Sequence, residues 1–347
     1  MLCRVTGVTA EQLGRARGCL LGLVLGDALG AAGGDTPEGG ALRATSAGQL
    51  ACFTVEGVVR AGVRQAHRGI CHPPSVVWHA YLRWAAGLGV LTVRPDMLDG
   101  WLARVPVLAA RRGPAPATEA ALRGRRMGEW DRPAGTSLGA HALTRVLPVG
   151  LIEPWVPTVA SLAAEFAVTT HAVEAAEVAG VGAAIVAGCR AGRPIEAAVE
   201  PARREHAARA ARRTDLAELA DALDTAASKP AEPGELARLA VDARASSALA
   251  GAVYVAACFP AREQVRHALS FAAASPHSRD VAPAVGALLG ATHGCDALPV
   301  DLVSRLELAW VADVLARDLL SQFVDGPSGS EYAPAADPHW WDRYPGG

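Results

Sequence analysis

Gly18-Cys-Leu-Leu-Gly22-Leu-Val-Leu-Gly26-Asp27-Ala-Leu-Gly30 repeats glycine at every fourth position, which in a helix aligns the glycines on one face. Inside a helix each glycine costs about 1 kcal/mol relative to alanine. Such a stripe implies that something needs the missing side chains, either a second helix or a ligand that approaches the backbone closely. Asp27 lies beside this bare face, at the end of the predicted helix.

Outward from that helix, predicted over Glu11 to Leu29, apolar residues recur at helical period along nearly the whole chain. They predict helices at Gln49 to Gln65, Ser75 to Ala86, Ser137 to Ile152, Val156 to Thr169, Ala172 to Ala191, Ile195 to Arg212, Asp215 to Ala226, Gly234 to Ala257, Arg262 to Ala274, Val281 to Ala291 and Pro299 to Phe323. No run has the alternation of a strand. Breaks fall at glycine or proline, as at Gly39-Gly40, Gly113-Pro114, Pro154 and Pro276, where the backbone needs freedom or lacks an amide donor. With 51% hydrophobic but only 5% aromatic residues, the composition suits closely packed helices better than a β-sandwich. No fixed-period repeat is visible, which argues against a solenoid. The expected architecture is an all-α, compact single-domain bundle over residues 1–324. From Asp325 the chain turns to Gly, Pro, Ser and Asp before Pro338-His339-Trp340-Trp341, predicting an irregular tail over residues 325–347 whose tryptophans are candidates for docking.

Lys and Arg number 33 against 35 Asp and Glu, so a net charge of -2 supplies no field for nucleic acid or an anionic membrane, and neither is expected as a partner. The basic segment Arg203 to Arg213 is interleaved with acids and reads as a solvated helix face. Cys3, Cys19, Cys52, Cys71, Cys189, Cys258 and Cys295 are scattered, which suggests reduced thiols and a cytoplasmic location. The apolar stretch Cys19 to Leu29 is interrupted by Gly22, Gly26 and Asp27, so no membrane span is expected. P-loop, G-x-S-x-G and H-E-x-x-H motifs are absent, and the glycine-rich run Gly33 to Gly40 lacks the strand that a dinucleotide site requires.

The Gly18 to Gly30 stretch resembles the opening G-x-x-x-G-x-x-x-G-D-A-L-G signature of the ADP-ribosylglycohydrolase family. Further matches follow in the same order. Arg145-Val-Leu-Pro-Val-Gly150 is similar to the family's M-R-v-x-P-x-G segment, and Thr170-His171 with Ala176 resembles its T-H-x-x-x-x-A helix. Gly286-Ala-Leu-Leu-Gly-Ala-Thr-His-Gly294 resembles the small-residue helix that follows the last metal motif. The resemblance spans about residues 14 to 320, and ordered matches carry more weight than one motif alone. It implies an orthogonal helical bundle with paired Mg²⁺ ions in a cleft, removing ADP-ribose from protein side chains or from small ADP-ribosyl compounds.

Such hydrolysis needs an activated water and a stabilised leaving group, which paired Mg²⁺ supplies when carboxylates fix the ions. Over the family's T-D-D-T-Q-M motif stands Thr45-Ser46-Ala47-Gly48-Gln49-Leu50, with both acids replaced. Over its G-G-D-T-D-T motif stands Ser275-Pro276-His277-Ser278-Arg279-Asp280, where two more acids become His277 and Arg279 and Asp280 takes a threonine position. A guanidinium is permanently cationic, so Arg279 puts repulsion where the family holds a dication. Ala140 takes the place of an asparagine, and Gly34 lies near the acid that follows G-D-A-L-G, with Glu38 a substitute only in a remodelled loop.

The resemblance thus implies a cleft formed from Asp27, Thr45, Ser46, Gln49, Ala140, His141, Arg145, His171, His277, Ser278, Arg279 and Asp280, with no residue assigned as catalytic. No cofactor is expected: Mg²⁺ belongs to the family but its ligands are largely missing, leaving His277 and Asp280 as the residual metal candidates. Structural roles compete for the same residues. Asp27 can pin a neighbouring loop, Arg145 can satisfy buried carbonyls or an acid, and Thr170-His171 can end one helix and begin the next. Three functions follow. The first is a catalytically impaired protein that still binds ADP-ribose or a nucleotide-like ligand, with Arg279 meeting a diphosphate directly, or that serves a protein partner. The second is an active hydrolase with His141, His171, His277 and Asp280 around a softer metal such as Zn²⁺. The third is a structural or regulatory protein whose cleft is closed by side chains beside Gly26 and Gly286.

Overall fold

Thr9 and Gln12 cap one another: the Thr9 hydroxyl accepts from the Gln12 N–H at 3.1 Å, and the Gln12 side-chain oxygen accepts from the Thr9 N–H at 3.0 Å. This reciprocal cap fixes the start of helix α1 (Ala10–Ala31). The computed structural model describes residues 7–34, 39–152, 156–208 and 216–346. After α1 come α2 (Ser46–Arg68), α3 (Pro73–Gly87), α4 (Pro116–Arg123), α5 (His141–Thr144), α6 (Val156–Val168), α7 (Val173–Arg190) and α8 (Ile195–Ala208). The second half contains α9 (Ala217–Ser228), α10 (Pro233–Leu239), α11 (Ala245–Cys258), α12 (Val265–Ala273), α13 (Ser278–His293), α14 (Val300–Val303), α15 (Ala309–Val324) and α16 (Trp340–Arg343). Among the described residues there is no strand, only isolated bridges such as Leu42 with Leu306.

The centre of the bundle is the seam between α1 and α13. A Cβ added at Gly18, Gly22, Gly26 or Gly30 would overlap the carbonyls of Gly290, Gly286, Ala282 and Ser278 respectively. Gly286 and Gly290 are bound in return by the carbonyls of Gly22 and Gly18. The stripe therefore exists for backbone-to-backbone packing, which recovers through dense burial what glycine costs in helix stability. The space beside Gly26 and Gly286 is filled by the backbone of the partner helix, not by the bulky side chains of the closed-cleft reading. Small residues serve the same end around α7, where Gly180 meets Ala160 and Gly188 meets Ala198.

Several predicted helices are shorter than their periodicity suggests. Ser137 to Ile152 is α5 followed by a 3-10 turn over Leu147–Leu151, with Pro148 inside the interruption. Gly234 to Ala257 divides into α10 and α11, where the Asp242 carboxylate accepts from Arg244 N (3.0 Å) and the Ser247 hydroxyl (2.7 Å). Pro299 to Phe323 divides into α14 and α15, because the intervening backbone pairs with Leu42, which donates to Arg305 O (2.8 Å) and accepts from Glu307 N (3.0 Å). Helix α4 was not expected; Pro116 starts it, in keeping with proline's tolerance in a first helical turn. The tail is not irregular throughout. Trp340 Nε1 donates to Gln322 Oε1 at 2.8 Å, the buried Tyr344 hydroxyl donates to Asp318 at 2.6 Å, and Trp341 packs edge-on against His67. Glu38, Pro154, the end of the predicted helix Ile195 to Arg212 and Asp215 at the start of the next one lie outside the described residues.

Candidate functional site

The first turns of α2, α4, α5 and α13 converge with the turn between α6 and α7 on a cavity of about 310 Å³. Six of the residues expected there line it: Thr45, Ala140, His141, His171, Arg279 and Asp280. The remaining wall is Gly113 to Thr118 with Ser137, Gly139 and Ala243. Sequence reasoning missed that wall, although the rigid run Pro114-Ala-Pro116 was its visible signal.

Asp27 is fully buried and holds the start of α2 in place. One carboxylate oxygen accepts from Thr45 N (2.6 Å) and Gly48 N (2.9 Å), the other from the Thr45 hydroxyl (2.6 Å). Burial pushes its carboxyl up to about 6, while the Thr45 and Gly48 donors and the Arg279 charge pull the other way. Both oxygens are thus committed to the protein. Ser46 and Gln49 turn away from the cavity: the Ser46 hydroxyl donates to Arg112 O at 2.9 Å, and Gln49 bridges Ala110 O (2.9 Å) and Trp84 Nε1 (3.0 Å). The Ser278 hydroxyl donates to Gly30 O at 2.9 Å and ties α13 to the end of α1.

Arg145 is fully buried beneath the cavity. Its guanidinium donates to Thr170 Oγ1 (2.6 Å) and Ala167 O (3.1 Å) and lies 4.6 Å from the centre of the Tyr81 ring, with no carboxylate among its hydrogen-bond partners in the described residues. This uncompensated positive charge acts on both histidines. Burial, then Arg145, lowers His141 to about 4, and the same causes hold His171 well below the usual histidine value. Both imidazoles are neutral at pH 7.

At the rim, the exposed Arg279 has no hydrogen-bond partner among the described residues, and Asp280 meets only His277, whose Nδ1 is 4.0 Å away. Burial raises the Asp280 carboxyl to about 6, against the attraction of His277 and Arg279. His277 itself is the residue before α13 and does not line the cavity. Gly34, near the place of a further family acid, has a left-handed backbone, φ 80°.

These residues do not fit a pair of Mg²⁺ ions. Hard dications need several carboxylate or carbonyl oxygens free to converge. Here Asp27 is saturated by protein donors, Asp280 is the sole carboxylate lining the cavity among the described residues, and Arg279 carries a fixed positive charge beside it. Among the described residues no group of three or more His, Cys, Asp or Glu side chains is placed to hold a metal ion.

The ADP-ribosylglycohydrolase pattern matches residues 9–328, nearly the whole chain. The chain belongs to the ADP-ribosylglycohydrolase family. A solved structure described as an ADP-ribosylglycohydrolase-related protein complex has the same fold, with a TM-score of 0.62 and 24% identity over 91% of this chain and 100% of that one. No individual curated protein sequence matches. No helix among the described residues of this ADP-ribosylglycohydrolase-family protein is long and apolar enough to cross a membrane.

A larger cavity, about 690 Å³, opens at the far end of α2 and includes Pro345 and Gly346 of the tail. Its four arginines are already engaged: Arg60 with Glu56 and Asp99, Arg64 with Gly346 O, Arg83 with Glu56, and Arg94 with Asp96. Size alone therefore does not mark a ligand site. The smaller cleft is the one with charged groups left open to a ligand.

Proposed function

We propose that this family member is catalytically impaired and that its cleft binds an ADP-ribosyl or nucleotide-like ligand without Mg²⁺. The observation that carries this reading is the unpartnered Arg279 at the cleft rim, where the family's motif has an acid. A guanidinium offers planar, charge-assisted donors suited to phosphate oxygens, so it takes over the neutralising role of the cations without their power to activate water. Thr45 and the apolar wall of Pro114 to Ala117 complete a site with a charged rim and a mostly uncharged interior, a usual composition for a small-molecule cleft. The ligand is held and not cleaved.

Isothermal titration of ADP-ribose into the protein in the presence of EDTA tests binding, and an assay of ADP-ribosyl-arginine hydrolysis with excess Mg²⁺ tests impairment. Heat of binding that is unaffected by the chelator, with no hydrolysis, is the expected pair of results. Absence of heat at millimolar ADP-ribose removes the ligand, and Mg²⁺-dependent turnover removes the impairment. The fully buried thiols of Cys19, Cys52 and Cys189 suit a reducing compartment and support a cytoplasmic location. We take residues 1–324 as the helical domain, with residues 325–347 as a tail whose Trp340 and Tyr344 pack into its core.

A further inference from the structure

We infer that Arg145 and Thr170 fix His171 as the tautomer with its proton on Nε2, so that the floor of the cleft presents an N–H donor to the ligand. The argument follows from which atoms can donate. A guanidinium has no acceptor, so in the 2.6 Å contact between Arg145 Nη2 and Thr170 Oγ1 the arginine donates and the hydroxyl accepts. The hydroxyl keeps one proton of its own. Among the described residues its other polar contact is His171 Nδ1, at 2.8 Å. Thr170 therefore donates to Nδ1, Nδ1 carries no proton, and the neutral ring bears it on Nε2.

Two further observations direct that Nε2–H toward a ligand. His171 lines the cavity, and its Nε2 makes no hydrogen bond with the described residues. Neighbouring His141 also lines the cavity, and its Nδ1 is buried without a partner. The chain thus leaves unfilled hydrogen-bonding positions on both rings, above a buried arginine that no carboxylate neutralises. A cationic group placed here would meet that positive charge and a donor facing it. The chemistry accepted is an oxygen acceptor, neutral or anionic: a phosphate, a carbonyl or a sugar hydroxyl. Arg145 and Thr170 act through His171 and are positioning residues.

The tautomer assignment concerns the ligand-free protein, and only its use rests on the binding reading above. Long-range ¹H–¹⁵N spectra of the intact chain at pH 7 read it directly. His171 is expected with an unprotonated Nδ1 and a protonated Nε2; Thr170→Ser retains this pattern, and Thr170→Val, which loses the donor, gives a mixture of tautomers. A proton on Nδ1 in the unmodified protein overturns the inference, as does a Thr170→Val spectrum identical to that of the parent. Should the valine variant fail to fold, the parent and serine spectra decide. With added ADP-ribose the Nε2 resonance is expected to move, while methylguanidinium, a cation with no acceptor, leaves it in place. Movement with methylguanidinium alone overturns the acceptor class. An unresponsive but correctly protonated Nε2 contradicts ADP-ribosyl binding and leaves the tautomer assignment standing.

Discussion

The α1–α13 seam and the cleft at its end draw on the same helices, yet opposite constraints govern them. Along the seam, every glycine from Gly18 to Gly30 faces a carbonyl that leaves no room for a Cβ. At the cleft, Arg279 on the first turn of α13 is exposed and the largely buried Asp280 lines the cavity, neither side chain with a hydrogen-bond partner among the described residues. Steric necessity holds the first set of residues to the family signature, whereas the second set can change its chemistry while the bundle stays intact. Family membership is therefore written in the seam and activity in the cleft, and the two can part company.

The largest expected effect is on the seam. Gly286→Ala drives a methyl group into the Gly22 carbonyl, a backbone group that cannot rotate away, so the helices must separate. We expect a loss of more than about 4 kcal/mol, measured by urea unfolding, enough to abolish folding of a marginally stable domain. A variant of native stability would break the comparison. Next comes Asp27, which links seam to cleft. Asp27→Ala strands the buried Thr45 and Gly48 amides and should cost about 3 kcal/mol in the same experiment.

Arg279→Ala sharpens the contrast. The side chain is exposed and unpartnered, so stability should change by less than about 0.5 kcal/mol, while affinity for ADP-ribose falls about tenfold. The smallest effect is on pH. Asp280, raised to about 6, is ionised at pH 7.5 and largely protonated at pH 5, so acidification removes a negative charge beside an anionic ligand and tightens binding. His277, Arg279 and Asp242 are the charged or titratable groups acting around it, and buried Asp27, also near 6, shifts in the same direction. His141, at about 4, and His171, lower than usual, stay neutral across this window. Titrations at both pH values should differ about two- to threefold, and Asp280→Asn should shrink the difference.

The seam was legible because a glycine at every fourth position has few physical meanings, and the order of the later matches located the cleft. Side-chain direction was not legible. Register with the family motif placed Ser46 and Gln49 at the site, but on the folded chain both satisfy carbonyls of the Ala110 to Arg112 loop. Periodicity likewise ran through Pro148 and the turn at Asp242, since apolar spacing continues across a break as long as both flanking pieces are buried. The partners of Arg145 come from α3, α4, α6 and the turn after α6, all more than twenty residues away, so only the fold could reveal that among the described residues they are carbonyl and hydroxyl oxygens and an aromatic ring, with no acid.

The central claim is that neutral and cationic groups have replaced the carboxylates that would hold paired dications. Equilibrium titration of Mg²⁺ into metal-free protein, with ADP-ribose present, tests it most directly. The expected result is no stoichiometric uptake up to millimolar Mg²⁺; saturable binding of two ions per chain would contradict it.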